Sequence, residues 1–576
     1  MNNLQNASIW IFVWIACLPC NAQELRKPFA VIFMNGNVDR QLVAELIRAR
    51  NLKLGDDRLN AESAPNDYGV FDSLVKKYPD FKFVTGNAHF GTDAGKYVTC
   101  RFISAPNEGA FDEFVESERS SRGGGSARRV DEGVGNIRIV TPPATVESNG
   151  TQFHTEYHDL CFRYVKGLVC YGGEEIFKMD LSEVEDLIPV AAEHHTYWRI
   201  VPGNLTAQSR AYYLESQLAG IGIRGQKFDN ESSEAYESRR AILSVVEVFL
   251  RGTFDDIDEI VVSKRFPFGD SGYQSDCTIK IRQESELARF VGELSASRPQ
   301  AMNFPASAVI NAYANVGLTK ELIAFVRAHV SRFPNASPVK DAFLPLVDEG
   351  TLSLQASVSL DEKNHPLVQL STPVSIDSLS SVDMALALRS AFELSPEGNS
   401  VLPFIHSTQL AFLKHYRLTS RVDDGRMRML ISDPETAVLD GVLKSQSTLK
   451  DEEHEIRTTS LLKVEWDFSS CIAAKQESPI RLFLDTLERR YFDINVQNDP
   501  AVRMRITRQL ARQPANFKPL ISIAEGDGDW TGHLSVNADD DGSTVKLDFR
   551  AGADLYHLYR AREAMNTEAR NAVLGF

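Results

Sequence analysis

Gln283-Glu284-Ser285-Glu286-Leu287-Ala288-Arg289-Phe290-Val291 is the stretch from which the fold can be read. Leu287, Phe290, Val291 and Leu294 fall at i, i+3, i+4 and i+7, one face of a helix. Ser285 stands where an N-cap hydroxyl accepts a hydrogen bond from an orphan backbone N–H. The pattern recurs as Asn107-Glu108-Gly109-Ala110-Phe111-Asp112-Glu113-Phe114-Val115 and as Gln476-Glu477-Ser478-Pro479-Ile480-Arg481-Leu482-Phe483-Leu484. Gly109 and Ser478 take the capping place, and Pro479 the first helical place, where its missing donor costs nothing. Glu108, Glu284 and Glu477 are spaced by 176 and 193 residues, which marks a long-period internal repeat.

A second match follows the helix. Gly350-Thr351-Leu352-Ser353-Leu354-Gln355-Ala356 parallels Gly532-His533-Leu534-Ser535-Val536-Asn537-Ala538, and each runs through a polar turn into an alternating strand, a hairpin signature. The first copy offers Gly150–Glu156 and a hairpin from Cys161 to Cys170 turning at Lys166-Gly167. The expected fold class is α+β: three tandem, divergent α+β modules, each with antiparallel strands or a hairpin and packed helices. The boundaries are 23–196, 197–397 and 398–576, after a signal segment over 1–22. The modules differ after the repeat helix. The first has a glycine-rich loop over 120–126, the second a helical stretch over 306–332, and the third a shorter one over 501–512.

Ile9 to Leu18 is an apolar run too short to span a bilayer, and Cys20-Asn21-Ala22 has the form of a cleavage site. Export is therefore expected, to the periplasm or outside the cell, with cleavage near Ala22, although Met1 to Ser8 lacks Lys and Arg. No later run is long enough for a membrane helix. A net charge of −16 without a basic run disfavours nucleic acid and anionic membranes as partners. Five cysteines follow the signal, too few for a disulfide scaffold. Two readings stay open for Cys161 and Cys170, a cross-strand disulfide or two buried thiols.

The candidate chemistry starts at His154-Thr155-Glu156-Tyr157-His158. On a strand, His154, Glu156 and His158 share a face and could present two imidazoles and a carboxylate to zinc. Alternation in a half-exposed strand explains the same trio without metal. His194-His195 fits a junction. Gly269-Asp270-Ser271-Gly272 matches four residues around a serine-protease nucleophile, but lies between two strand candidates, where a turn is expected. Asp539-Asp540-Asp541-Gly542-Ser543 and Glu525-Gly526-Asp527-Gly528-Asp529 are oxygen-rich and suit calcium, yet the first aligns with a hairpin turn. No catalytic residue is assigned and no cofactor is expected beyond the zinc option. The sequence points to a non-catalytic protein that binds a protein or small ligand, with a metal-assisted hydrolase as the alternative.

Overall fold

The computed structural model describes residues 27–35, 77–78, 81, 83–91, 97–122, 126–148, 151–155, 158–212, 250–266, 272–295, 308–320, 350–360, 366–373, 417–423, 426–432, 460–477, 479–481 and 527–559, with scattered single residues between them. Helices and a large antiparallel sheet make up the described elements, which gather into two compact units.

The first unit holds β1 (Ala30–Asn35), β2 (Val84–Gly91), β3 (Tyr97–Ser104), β4 (Arg128–Gly133) and β5 (Asn136–Val140). It continues with a separate hairpin of β6 (Ala144–Ser148) and β7 (Thr151–Thr155), then β8 (Leu160–Val165), β9 (Leu168–Gly172), β10 (Thr196–Ile200) and β11 (Ile257–Arg265). The sheet runs β11-β10-β1-β2-β3-β9-β8-β5-β4, antiparallel at every step. Lys166 and Gly167 turn β8 into β9 with φ of 45° and 83°, the paired positive φ of a tight hairpin.

Side chains alternate across this sheet, and each face has its own helix. Phe33, Ala88, Phe90, Cys100, Phe102 and Cys170 pack with Val184 and Ala191 of α2 (Ser182–Ala192). Ile103, Ile137, Ile139, Phe162 and Val169 pack with Ala110, Phe111, Phe114 and Val115 of α1 (Glu108–Ser121). At about 1.5–3 kcal/mol for each fully buried large apolar side chain, these two layers dominate the unit's stability.

The second unit holds β12 (Tyr273–Ile281), α3 (Glu286–Ser295), β13 (Ala308–Gly317), β14 (Thr351–Leu360), β15 (Pro366–Pro373), β16 (Arg417–Asp423) and β17 (Arg426–Ser432). After these come β18 (Leu462–Asp467), α4 (Ser469–Ala473), β19 (Thr531–Ala538) and β20 (Thr544–Ala551). Its sheet is also antiparallel throughout, in the order β12-β20-β19-β18-β13-β14-β15-β17-β16. Without β16 at its edge, that order is a palindrome about the β18–β13 pair: β19 mirrors β14, β20 mirrors β15, and β12 mirrors β17. The first unit contains the same run of partners as β3-β9-β8-β5. One difference stands out. β3 pairs with β9, the last strand of its own run, whereas β12 pairs with β20 and β17 with β15, so each half of the second unit lends a strand to the other.

The repeat helices begin as their sequence predicts in one copy and differently in another. Ser285 Oγ accepts from the Ala288 N–H at 3.1 Å, and Asp256 Oδ2 accepts from the Leu287 N–H at 3.1 Å. In the first copy the cap is Asn107, whose Oδ1 accepts from the Ala110 N–H at 2.9 Å, and not Gly109. Asn carries an acceptor that Gly lacks, so the helix starts two residues early and Glu108 enters its first turn. The third copy, at Glu477, follows β18 and α4, whereas the first two directly follow β3 and β12. The strand order places β18 opposite β13, not β12, so this copy comes one element late. The sequence Asp433-Pro434-Glu435-Thr436-Ala437-Val438-Leu439-Asp440-Gly441-Val442-Leu443, outside the described residues, follows β17 and matches Glu284–Leu294 at Glu, Ala, Gly and the last Leu.

Gly542, at φ 69°, turns β19 into β20 against α3, and a Cβ there would lie 1.9 Å from the Ala288 carbonyl oxygen.

The capping assignment has a direct test. Asn107→Ala is expected to lower the unfolding free energy by about 1 kcal/mol. Gly109→Ala, inside the helix, is expected to leave stability unchanged or raise it. Urea midpoints of the two variants check both.

Candidate functional site

His154, Glu156 and His158 are not described as a set on one strand. β7 ends at Thr155, with His154 opposite Thr145 in its hairpin. Glu156 lies outside the described residues, and His158 is exposed in the connection to β8. Among the described residues no group of three or more His, Cys, Asp or Glu side chains is placed to hold a metal.

The other candidates resolve into packing and turns where they are described. Cys161 lies opposite Gly172 and Cys170 opposite Arg163, so the two cysteines are two registers apart and unbridged. Diagonal neighbours of this kind are too far apart for a disulfide without backbone movement. Both are buried thiols, and burial pushes Cys161 up to about 11. His195 accepts from the Phe266 N–H at 2.6 Å through Nδ1 and stacks on the Phe266 ring, while His194 stacks on Tyr197. Asp541 accepts from the Ser543 N–H at 2.9 Å, which closes the β19–β20 turn, and the Ser543 hydroxyl and then its N–H hold that carboxyl below its usual range. Asp529 accepts from the Thr531 hydroxyl at 2.9 Å and receives the Leu555 N–H on its carbonyl, leading into the helix over 553–559. Gly269, Asp270, Ser271 and Glu525 lie outside the described residues.

Perturbed histidines often mark function. Here burial accounts for them: it pushes His89 and His195 down to about 4. His89 sits against Phe29 and Tyr97, with Nδ1 3.0 Å from the Thr99 hydroxyl. Lys264 is 3% exposed, and its side-chain nitrogen lies 4.4 Å from the centre of the Trp198 ring, a cation–π contact.

The feature that packing does not explain lies on the second unit. Alternation gives its sheet an apolar face (Ala312, Ala314, Leu354, Ala356, Leu370) and a polar face (Asn311, Tyr313, Asn315, Ser353, Gln355, Ser357, Ser371). Over β13, β14 and β15 the polar face is the buried one. Tyr313 is 1% exposed, Asn315 and Ser353 2%, and Gln355 6%, whereas Leu354 on the other face is 39% exposed. The ladders place Asn315 opposite Ser353, Tyr313 opposite Gln355, Asn311 opposite Ser357, and Gln355 opposite Ser371. Ser353 Oγ and Asn311 Oδ1 are buried without a hydrogen-bond partner. An orphaned buried polar group costs about 1–3 kcal/mol, so this surface is held against stability.

Toward β18, β19 and β20 the same face becomes charged and more open. Lys463 and Glu465, opposite Tyr313 and Asn311, pair with each other at 2.6 Å. Arg550 joins Asp276 at 3.0 Å and Asp548 at 2.7 Å, and His533 Nε2 lies 3.3 Å from Asp548 Oδ2. These charged groups are paired with one another. The buried part carries only hydroxyls, amides and one phenol, each able to donate and to accept, and its Ser, Asn and Gln side chains do not titrate. Such a surface offers hydrogen-bond donors and acceptors without charge; acid–base chemistry would draw on the ion-paired margin. The alternation of β14 is plain in the sequence, but nothing in Leu352-Ser353-Leu354-Gln355 says which face is covered.

No family model matches the chain, and no curated protein or solved structure matches it.

The histidines predict a pH response. A folded-state value of about 4 against an ordinary 6.5 means that the unfolded chain takes up protons first. Stability from neutral His89 is therefore complete above pH 6.5 and is lost as pH falls from 6.5 to 4, by roughly 3 kcal/mol at 1.36 kcal/mol per unit. His89→Gln is expected to flatten the fall in melting temperature over that window.

Proposed function

We propose that the chain is an exported, non-catalytic binding protein of three related α+β modules, and that it binds a small, uncharged, hydrogen-bonding ligand on the buried polar face of β13, β14 and β15. The single observation that carries the binding reading is the inversion of that face: neutral polar side chains stand in register away from water, with Ser353 Oγ unpaired. Proteins keep unfavourable polar surface where activity needs it, at a cost in stability. The ligand's neutrality follows from the side chains that would meet it, and a chain of net charge −16 gives an anion no help.

The module reading, with boundaries at 23–196, 197–397 and 398–576, is supported by the common strand run β3-β9-β8-β5, β17-β15-β14-β13 and β12-β20-β19-β18. Under it the second and third modules exchange one strand each. Export rests on the apolar segment before Ala22.

Two measurements test the site. Ser353→Ala is expected to raise the unfolding free energy by up to about 1 kcal/mol, because it removes an unpaired buried hydroxyl. A loss of that size instead would make Ser353 a structural hydrogen-bonding residue and overturn the reading. Titration calorimetry with a neutral hexose oligomer and with its uronic-acid counterpart is expected to give heat only with the neutral sugar, and none in Gln355→Leu. Heat that survives Gln355→Leu would place binding elsewhere.

A further inference from the structure

We propose that β4 is a removable guard on the edge of β5, and that the edge beneath it is a docking site for β5 of a second copy of this chain. The inference is independent of the ligand reading and rests on strand order. β5 lies beyond β8 as β13 lies beyond β14 and β18 beyond β19. In the second unit the two equivalent edges do not end the sheet. They meet, β13 antiparallel to β18, from Ile310 opposite Trp466 to Ala314 opposite Leu462. This run of strands thus presents an edge that can pair with another of its own kind. In the first unit the same edge is occupied by β4, which has no counterpart in that position in the second unit.

The guard is weakly attached. Five of its six residues are exposed, and only Arg129 is half-buried. Its ladder to β5 is broken by an irregularity between Asp131 and Gly133, and it turns back through Gly133 and Gly135 at φ 128° and 72°. Bulges and charge are how an edge strand is kept from recruiting a further strand. The side-chain links are ion pairs near the surface: Arg129 to Asp112 of α1 at 3.0 Å, to Asp131 at 3.1 Å and to Glu116 of α1 at 3.8 Å, and Glu132 to Arg138 of β5 at 2.9 Å. Pairs of this kind contribute little and are screened by salt. β5 itself is firmly based, with Ile137 and Ile139 in the core and a ladder to β8. Removing β4 therefore uncovers an ordered row of backbone donors and acceptors, and antiparallel pairing of two identical edges closes by a two-fold axis. The partner is a second copy because the chain already shows this edge pairing with its own equivalent.

The test uses the full chain with residues 127–134 replaced by a Gly-Ser segment of equal length. Light scattering after size exclusion is expected to give twice the mass of the unaltered chain, and hydrogen exchange to show the amides of 136–140 protected in the larger species. A folded variant of unchanged mass overturns the proposal, and so does a doubled mass with the 136–140 amides unprotected. If the replacement fails to fold, Arg129→Glu, which sets like charge against Asp112, Glu116 and Asp131, carries the test. It is expected to speed exchange at 128–133 and double the mass as concentration rises. Faster exchange without added mass overturns the docking edge, and unchanged exchange overturns the guard.

Discussion

Pairing of β13 with β18 is the constraint on which the second unit depends. The four strands that run outward from β18 meet the five that run outward from β13 only along this ladder among the described strands. Outward from it, β19, β20 and β12 stand in the places of β14, β15 and β17, and β16 lies beyond them at one edge. The lending of β12 to β20 and of β17 to β15 ties the two sides a second time, because each lent strand is laddered to one side and joined by the chain to the other. Separating them would cost the seam and both borrowed ladders together. That makes the pair of halves one cooperative body, in keeping with their falling within a single compact unit.

A body held from both sides can tolerate a surface that does not favour folding. The polar face of β13, β14 and β15 lies immediately beside the seam, where backbone positions are fixed by ladders on either side. Fixed backbone keeps Asn315, Ser353 and Gln355 in a defined grid whether or not their own hydrogen bonds are complete. Preorganised groups on rigid strands lose little entropy when they meet a ligand. The charged margin has a different character. Asp276, Arg550, Asp548 and His533 contact one another across three strands and are more exposed.

How much of this was legible in the sequence depends on whether a feature is local. The hairpin at Lys166-Gly167 and the helix after Ser285 are written in a few adjacent residues, and both are found. The first helix was misplaced by two residues because the three-way comparison put Gly109 under Ser285, although Asn107 was the better acceptor. The third copy at Glu477 was a genuine helix start in the wrong element. Capping and apolar spacing report a helix, not its address, and only the strand order distinguishes a helix after β12 from one after β18. The site was the least legible part. Strict alternation in β14 divides Leu352, Leu354 and Ala356 from Ser353, Gln355 and Ser357, and ordinary hydrophobic reasoning assigns the first set to the core. Which face is covered is decided by elements remote in sequence, and here they cover the other one.

The two units differ in the same way in what their buried surfaces hold. In the first unit both faces of the sheet are packed by apolar layers, and the titrating groups within them are driven to their neutral forms: Cys161 and Cys170 upward, His89 and His195 downward. A buried neutral thiol is a poor nucleophile and metal ligand, and an imidazole enclosed by packing is kept from a metal by access and not by charge, so residues that look reactive in the sequence are made inert by their surroundings. In the second unit the buried polar side chains of β13, β14 and β15 are mostly Ser, Asn and Gln, which have no charge to lose. Evolution of one scaffold toward recognition needs only the second change: a polar residue at every other position of a strand whose backbone is already held. Catalysis would need a titrating group brought to that surface and left unpaired, and Lys463 and Glu465, the nearest such groups, are spent on each other.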